Sequence, residues 1–204
     1  MMNVAQVFPR LIGIVNFQQN MDDINNQLEQ VKTSNNDYGT RSEDSYILNQ
    51  LPFLDFKQQL VEHANAYFEN VLCYKPSDLR MTQSWVNVKS PGEHHWPHKH
   101  PNSVVSGTYY WQEDIVPLVF TDDKESNFHI EHDQDKLQEF DMAQKIMNCY
   151  VQKNTLVLFE SNLMHGVGPN NGDKDRYSLA FNMFPAKLGN KEVLSELNIT
   201  QLTK

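Results

Sequence analysis

A cluster of histidines is the part of this sequence most suited to chemistry. Four of the eight histidines fall between positions 94 and 100. His98 and His100 point to the same side if the backbone there is extended, because residues i and i+2 of a strand share a face. Pro97 and Pro101 flank the pair and favour extended backbone. Two imidazoles on one side can chelate a single metal ion, whereas a histidine-rich surface turn is the alternative interpretation.

A third imidazole and an arginine lie further along the chain. His165 follows the apolar run at 155–159, which places it where a β-strand opens at the rim of a barrel; a rim histidine bonded to backbone is the alternative. Arg176 comes eleven residues later. If 177–184 is a strand, Arg176 and Ser178 share a face. A buried arginine needs an anionic partner, which either a protein carboxylate or a ligand carboxylate can supply. Three imidazoles with an anion anchor predict an open metal site that has room for a bidentate co-substrate and for dioxygen.

The elements that must position these residues change character along the chain. Apolar residues recur at helical spacing over Met21–Lys32 and over Asp55–Leu72, where Asp55 can cap the helix. Thr33–Ser45 is polar and predicts an exposed loop, and Asp135–Met147 predicts a polar insertion with a short helix. After Pro76 the pattern alternates with period two. Predicted strands cover Val4–Val15, Met81–Val88, Val104–Trp111, Leu118–Thr121, Cys149–Val151, Thr155–Phe159 and Tyr177–Phe184. Helices followed by many short strands favour a mainly β, α+β fold with an antiparallel sandwich or barrel.

Composition limits the partners that this protein can have. The chain has 204 residues and a formal net charge of -9, without a clustered run of Lys and Arg, so we expect no nucleic-acid partner. No apolar stretch approaches the ~20 residues of a membrane span, so no membrane partner is expected. The N-terminus lacks a secretory pattern, and Cys73 and Cys149 stand far apart, which predicts a cytoplasmic protein with reduced thiols. The oligomeric state stays open.

The motifs resemble those of the 2-oxoglutarate- and Fe(II)-dependent dioxygenases. In that superfamily a His-x-Asp/Glu motif is followed by a second His and then by an Arg, often within Arg-x-Ser. Here His98-Lys-His100 stands where the first motif belongs, His165 matches the distal His, and Arg176-Tyr-Ser178 matches the arginine motif. The stretch from Ser106 to Tyr110 is similar to a strand of prolyl-hydroxylase-type members, in which a Tyr also contacts the distal carboxylate of the co-substrate. The nearest likeness is to a bacterial and phage branch of such oxygenases.

This resemblance implies a fold, an activity and a set of site residues. The fold is a double-stranded β-helix, or jelly roll, with N-terminal helices packed outside it. We expect one domain over 1–204, with a helical support region at 1–76, the catalytic core at 77–186 and a tail at 187–204. The activity is that of a hydroxylase with an unknown substrate, in which substrate oxidation is coupled to decarboxylation of 2-oxoglutarate to succinate. The implied metal ligands for Fe(II) are His98, His100 and His165, and the implied contacts to 2-oxoglutarate are Arg176, Ser178 and Tyr110.

One departure from the family pattern keeps alternatives open. His100 occupies the place of the usual carboxylate ligand, and Glu93 is the carboxylate nearest in sequence that is able to complete the site instead. We interpret His94 and His95 as rim residues. A cupin-like three-histidine dioxygenase without 2-oxoglutarate explains the histidines but leaves Arg176 without a role. A non-enzymatic jelly-roll binding module is the third hypothesis.

Overall fold

The computed structural model describes residues 9–37, 39–75, 78–113, 116–123, 146–190 and 192–198. Two antiparallel sheets form the framework of the described chain, and helices cover the larger one. The elements of the N-terminal part are β1 (Ile12–Asn16), α1 (Asp22–Glu29), β2 (Thr33–Asn36), β3 (Gly39–Ser42) and α2 (Leu54–Ala66), and α2 continues as a π-helical turn over Tyr67–Val71. Short 3-10 turns at Ile47–Asn49 and Leu51–Phe53 precede α2. The later strands are β4 (Leu79–Lys89), β5 (His95–His98), β6 (Val105–Tyr110), β7 (Leu118–Thr121), β8 (Ile146–Cys149), β9 (Thr155–Glu160), β10 (Met164–Val167), β11 (Arg176–Pro185), β12 (Lys187–Leu188) and β13 (Leu197–Asn198).

The larger sheet has seven strands in the order β1-β9-β6-β11-β4-β3-β2. Its two longest strands, β4 and β11, pair from Leu79 opposite Pro185 to Lys89 opposite Arg176. Side chains alternate along β11, so Leu179 and Phe181 lie in the hydrophobic cluster that contains α2. The opposite, inner face of β11 therefore carries Arg176 and the residues at even positions after it.

The smaller sheet has four strands in the order β5-β10-β7-β8 and packs against the inner face of the larger one. A second hydrophobic cluster joins the two sheets. It combines Tyr110, Val157 and Phe159 from the larger sheet with Leu118, Phe120 and Cys149 from the smaller one. Two antiparallel sheets that share such a core form the double-stranded β-helix, as the sequence predicts.

The helices cover the outer face of the larger sheet. Phe56, Leu60 and Ala64 of α2 are buried at helical spacing, which confirms the predicted apolar face. Phe56 and Phe17 each meet the ring of Tyr109 edge-on, with centroids 5.0 and 5.7 Å away. The larger sheet is therefore buried on both faces, which gives the site on its inner face a rigid wall. No helix in the described ranges is long and apolar enough to cross a membrane.

Four local predictions are wrong. Thr33–Ser45 contains a hairpin, β2 with β3, because its second strand can add to the edge of the larger sheet at Arg41 opposite Asn87. Asp55 makes no capping hydrogen bond; it lies in the first turn of α2, and Phe53 occupies the N-cap. Strand β8 ends at Cys149 rather than continuing to Val151, and the opening strand begins at Ile12. Two predictions fall outside the described residues. They are the start of the opening strand, at positions 1–8, and the polar insertion, at positions 135–145.

Candidate metal and co-substrate site

Strand pairing brings two of the candidate histidines together. His98 is the last residue of β5 and His165 lies within β10, and the two stand directly opposite each other in the smaller sheet. Their ring centroids are 4.4 Å apart. His165 is buried and His98 half-buried. The sequence interpretation of His165 as a rim residue after a strand is therefore corrected, because His165 forms part of a short strand of its own.

His100 reaches the same point from beyond the end of β5, and the larger sheet holds it there. Its backbone N–H donates to the carbonyl of Ser161 at 2.9 Å. On the ring, Nδ1 lies 2.6 Å from Oδ1 of Asn182 and 2.8 Å from Oγ of Ser106. Asn182 belongs to β11 and Ser106 to β6, and the two residues face each other across the strands. His100 thus connects the two sheets.

The hydrogen bonds fix the tautomer of all three rings. Nδ1 of His98 lies 2.8 Å from the carbonyl oxygen of Trp96, and Nδ1 of His165 lies 2.8 Å from that of Leu163. A carbonyl oxygen only accepts, so Nδ1 carries the proton in each ring and Nε2 keeps its lone pair. The same holds for His100, whose Nδ1 donates to the amide oxygen of Asn182.

Three lone pairs therefore converge on one point. Nε2 of His98 and Nε2 of His100 are 3.0 Å apart, and the ligand atoms of all three histidines lie within 4.8 Å of one another. Two nitrogens that each lie about 2.1 Å from one ion, with a right angle between the two nitrogen–metal bonds, are about 3.0 Å apart. Imidazoles that bind metals almost always donate their other N–H to an oxygen in this way. The donor set and its tautomers fit a divalent metal ion.

Burial keeps the imidazoles of His100 and His165 neutral. It lowers the pKa of His165 to about 3, although the hydrogen bond to the carbonyl of Leu163 acts in the opposite direction. It lowers the pKa of His100 to about 4, against the effect of the bond to Asn182. Both rings are therefore unprotonated near neutral pH, so that a metal does not have to displace a proton from either ring.

The predicted anchor residues lie on the inner face of the larger sheet. Arg176 and Ser178 are buried at alternate positions of β11, as the strand prediction requires. The guanidinium carbon of Arg176 lies 5.4 Å from the centroid of the Tyr110 ring, within the range of a cation–π contact. Tyr110 is itself buried at the end of β6. The structure therefore brings the predicted arginine and tyrosine side by side.

The other acid and imidazole candidates lie around this cluster. The carboxylate of Glu93 accepts the backbone N–H of Ser90 at 2.8 Å, and among the described residues no carboxylate joins the three histidines. His94 packs edge-on against Trp96. His95 stacks on His98 at 4.4 Å, and burial, followed by the charges of His98 and Lys89, lowers the pKa of His95 to about 3.

An open cleft of about 840 Å³ leads to the histidines. Arg41 and Asn87 line it on the larger sheet, and the indole of Trp85 stands 6.0 Å from the ring of His100. Nε1 of Trp85 donates to Oδ1 of Asn87 at 2.9 Å, which fixes the orientation of the indole. The cleft is large enough for a small-molecule substrate next to the cluster.

Sequence reasoning missed the two residues that position His100. Asn182 lies on the same face of β11 as Arg176, and Ser106 on the same face of β6 as Tyr110. Strand alternation alone identifies these faces. Positions 176, 178 and 182 of β11 are all even and therefore share one face, and positions 106 and 110 of β6 share a face for the same reason. The alternation was available in the sequence, but the contact of these two faces with His100 was not.

Comparison with known proteins agrees with this geometry. A family model described as "Putative 2OG-Fe(II) oxygenase" matches residues 83–182, about half of the chain. No curated protein sequence matches significantly. The structure of HygX from Streptomyces hygroscopicus with nickel, 2-oxoglutarate and hygromycin B bound aligns with a TM-score of 0.59 at 12% identity, over 86% of this chain and 83% of HygX.

Two further structures share the fold. An oxidoreductase of the 2OG-Fe(II) oxygenase family from Burkholderia pseudomallei aligns with a TM-score of 0.55 at 11% identity, over 80% of this chain and 76% of that protein. The non-heme alpha ketoglutarate dependent epimerase SnoN from nogalamycin biosynthesis aligns with a TM-score of 0.55 at 12% identity, over 96% and 84% of the two chains. At such identities these structures support the fold, whereas the matched segment, 83–182, includes both the histidine cluster and the arginine motif. The chain is thus a member of the 2OG-Fe(II) oxygenase superfamily, an iron- and 2-oxoglutarate-dependent oxidoreductase built on a double-stranded β-helix.

Proposed function

We propose that this protein is a hydroxylase in which His98, His100 and His165 bind Fe(II). The observation that carries this proposal is the convergence of three imidazole Nε2 atoms whose Nδ1 atoms all donate to oxygen. When bound, iron and 2-oxoglutarate supply the oxidising chemistry, coupled to decarboxylation of 2-oxoglutarate to succinate. The protein contributes the geometry of the ligands, the charge of the site and a wall that limits the access of water.

We infer that Arg176 binds the distal carboxylate of 2-oxoglutarate, with help from Ser178 and Tyr110. The guanidinium is planar and presents paired N–H donors that match both oxygens of a carboxylate. Tyr110 supports this role because its ring lies against the guanidinium and restricts its orientation. A cupin-like site without 2-oxoglutarate would leave this buried cation without a function.

The test is calorimetric titration of 2-oxoglutarate into oxygen-free, Fe(II)-loaded protein, combined with the weak visible charge-transfer band of the chelate. Arg176→Lys keeps the charge but loses the second hydrogen bond, which is worth about 1.5–3 kcal/mol when charge-assisted. We expect a loss of roughly one to two decades in affinity for 2-oxoglutarate, a larger loss in Arg176→Ala, and unchanged Fe(II) binding.

Arg80→Lys is the matched control, because Arg80 is exposed on β4 and pairs with Asp78 at the surface. Equal binding of 2-oxoglutarate by the wild type and Arg176→Ala would overturn the anchor. Absence of the chelate band in the wild type would overturn the proposed function itself.

A further inference from the structure

Lys89 is a buried cation that the reaction described above does not use. It is the last residue of β4 and is only 6% exposed. In the described ranges its ammonium group has no ion pair and no hydrogen-bond acceptor. Among the described residues Nζ of Lys89 is not one of the fully buried atoms that lack a hydrogen-bond partner, so the ammonium keeps contact with solvent while its stem is buried. A cation that is held in place by a buried stem and has no protein counterion is available to a ligand anion.

Strand alternation places Lys89 on the same face of β4 as two residues that line the substrate cleft. Trp85, Asn87 and Lys89 occupy alternate positions of β4 and therefore share the inner face, and the first two line the cleft. The ammonium leans towards β3: a Cβ on Gly39 would lie 2.5 Å from Nζ. Gly39 has a φ of +94°, so the turn both requires glycine and leaves room for the ammonium.

This orientation separates Lys89 from the candidate 2-oxoglutarate anchor. Arg176 stands opposite Lys89 in the strand register. However, Arg176 is in contact with Tyr110 on β6, on one side of β11, whereas the Lys89 ammonium lies over β3, on the other side. Lys89 is also close enough to His95 for its charge to contribute to the low pKa of that imidazole. The ammonium of Lys89 therefore lies near the cleft residue His95, on the side of β11 away from Tyr110.

The charges around the cleft have one sign. The chain contains 26 acidic residues, yet none of the described residues that line the cleft is acidic, and Arg41 lines it on the strand next to β4. Three imidazoles bring no negative charge to the metal, so the two negative charges of the 2-oxoglutarate dianion are already matched by Fe(II) and by Arg176 at its distal carboxylate. The charge of Lys89 then has no counterion in the site.

We propose that Lys89 binds an anionic group of the substrate, a carboxylate or a phosphate, while Trp85 packs against an apolar or planar part of the same molecule. This assignment rests on the proposed function and names the substrate class of the same site. Lys89 lies four residues from Trp85, a distance of roughly 13 Å along the strand, and Trp85 is the residue beside His100. The negative charge of the substrate accordingly lies at the other end of the molecule from the part that packs against Trp85.

The experiment uses probes that share a planar apolar part and differ in charge. 1-Naphthyl phosphate, 1-naphthoate and neutral 1-naphthol are titrated into oxygen-free protein loaded with Fe(II) and 2-oxoglutarate. We expect the wild type to bind one or both anions more tightly than the alcohol. Lys89→Met has a similar volume but no charge, and we expect about a ten- to hundredfold loss of anion affinity, because a charge-assisted hydrogen bond is removed. Naphthol affinity and 2-oxoglutarate affinity are expected to stay within about threefold of the wild type.

Two further variants separate charge from structure. Lys32→Met is the matched control, because Lys32 is an exposed lysine at the start of the β2–β3 hairpin. Lys89→Gln tests the same loss with a polar side chain if Lys89→Met does not fold. Thermal unfolding adds an independent measurement: the preferred anion raises the melting temperature of the wild type and not that of either Lys89 variant.

Three results would overturn the assignment to the substrate. The first is that the wild type binds neither anion saturably, and the second is that the wild type and Lys89→Met bind the anions with equal affinity. The third is that Lys89→Met loses affinity for 2-oxoglutarate instead of affinity for the probes. Titration of the same probes into metal-free protein distinguishes a failure of the Lys89 assignment from a failure of the proposed function. Anion binding that depends on Lys89 without any iron–2-oxoglutarate chelate would retain the anion site and remove the oxygenase.

Discussion

The hydrogen bond from His100 to Asn182 offers a sharp test of the metal site, because Asn182 supports a candidate ligand without being one. In Asn182→Leu, Nδ1 of His100 loses its 2.6 Å acceptor but keeps Oγ of Ser106 at 2.8 Å. Removal of such an outer partner costs about 10–100-fold in metal affinity. Since one acceptor is left, we expect about a tenfold loss in Asn182→Leu and about a hundredfold loss when Ser106→Ala is added.

The assay is competition for Fe(II) between the oxygen-free protein and a coloured chelator, with urea unfolding as a check on stability. Asn182→Asp supplies a charged acceptor and should bind Fe(II) at least as tightly as the wild type. Asn87→Leu is the matched control, because Asn87 lies on the inner face of the neighbouring strand but bonds Trp85 and not a histidine.

The result that would refute this reasoning is specific. If Asn182→Leu and the double variant both retain Fe(II) as the wild type does, the orientation of His100 has no effect on metal binding. His100 would then not be a ligand. Weaker binding in Asn182→Asp than in Asn182→Leu would also contradict it, because the charged acceptor strengthens the donor character of the ring.

Two more predictions concern the same cluster. His165→Ala should lose most bound iron while its fold is retained, measured as metal content of the purified protein; full metal content would remove His165 from the site. The metal-free protein should lose stability as the pH falls below 6.5, because the pKa values of His95, His100 and His165 lie at about 3, 4 and 3 when folded, so that only the unfolded chain takes up protons in this window. From pH 7.5 to 5.5 this amounts to about 1.4 kcal/mol for each ring and about 4 kcal/mol in all, measured by urea unfolding. In His95→Phe the drop should be about 1.4 kcal/mol smaller, and equal stability of the wild type at the two pH values would contradict the shifts.

The long strands and the main helix were predictable because their residues alternate or repeat over many positions. In β11 the odd positions 177, 179 and 181 are apolar and lie on the helix-covered face, while Arg176 and Ser178 fall on the inner face. Ten residues give several repeats of the period, so a local pattern is sufficient. The same argument applies to α2, in which Phe56, Leu60 and Ala64 lie on one buried face.

The short polar strands were not predictable because tertiary pairing forms them. Both β5 and β10 have four residues, and their histidines and glycine resemble a loop in composition. The hairpin of β2 and β3 likewise lacks apolar alternation, and the residues of β2 are exposed. Such segments become strands because a neighbouring strand supplies the hydrogen bonds, and a single sequence does not record which neighbour that is.

This difference explains why the candidate ligands were easier to identify than their arrangement. The sequence placed His98 and His100 on one strand, but the strand ends at His98, and the smaller sheet joins His98 to His165. His100 is instead tied to the larger sheet through Asn182 and Ser106. A metal ion held by all three rings therefore crosslinks the two sheets of the β-helix. Because the hydrogen bonds that fix the tautomers are already formed, the protein is preorganised for the metal, and binding adds stability at the contact between the sheets.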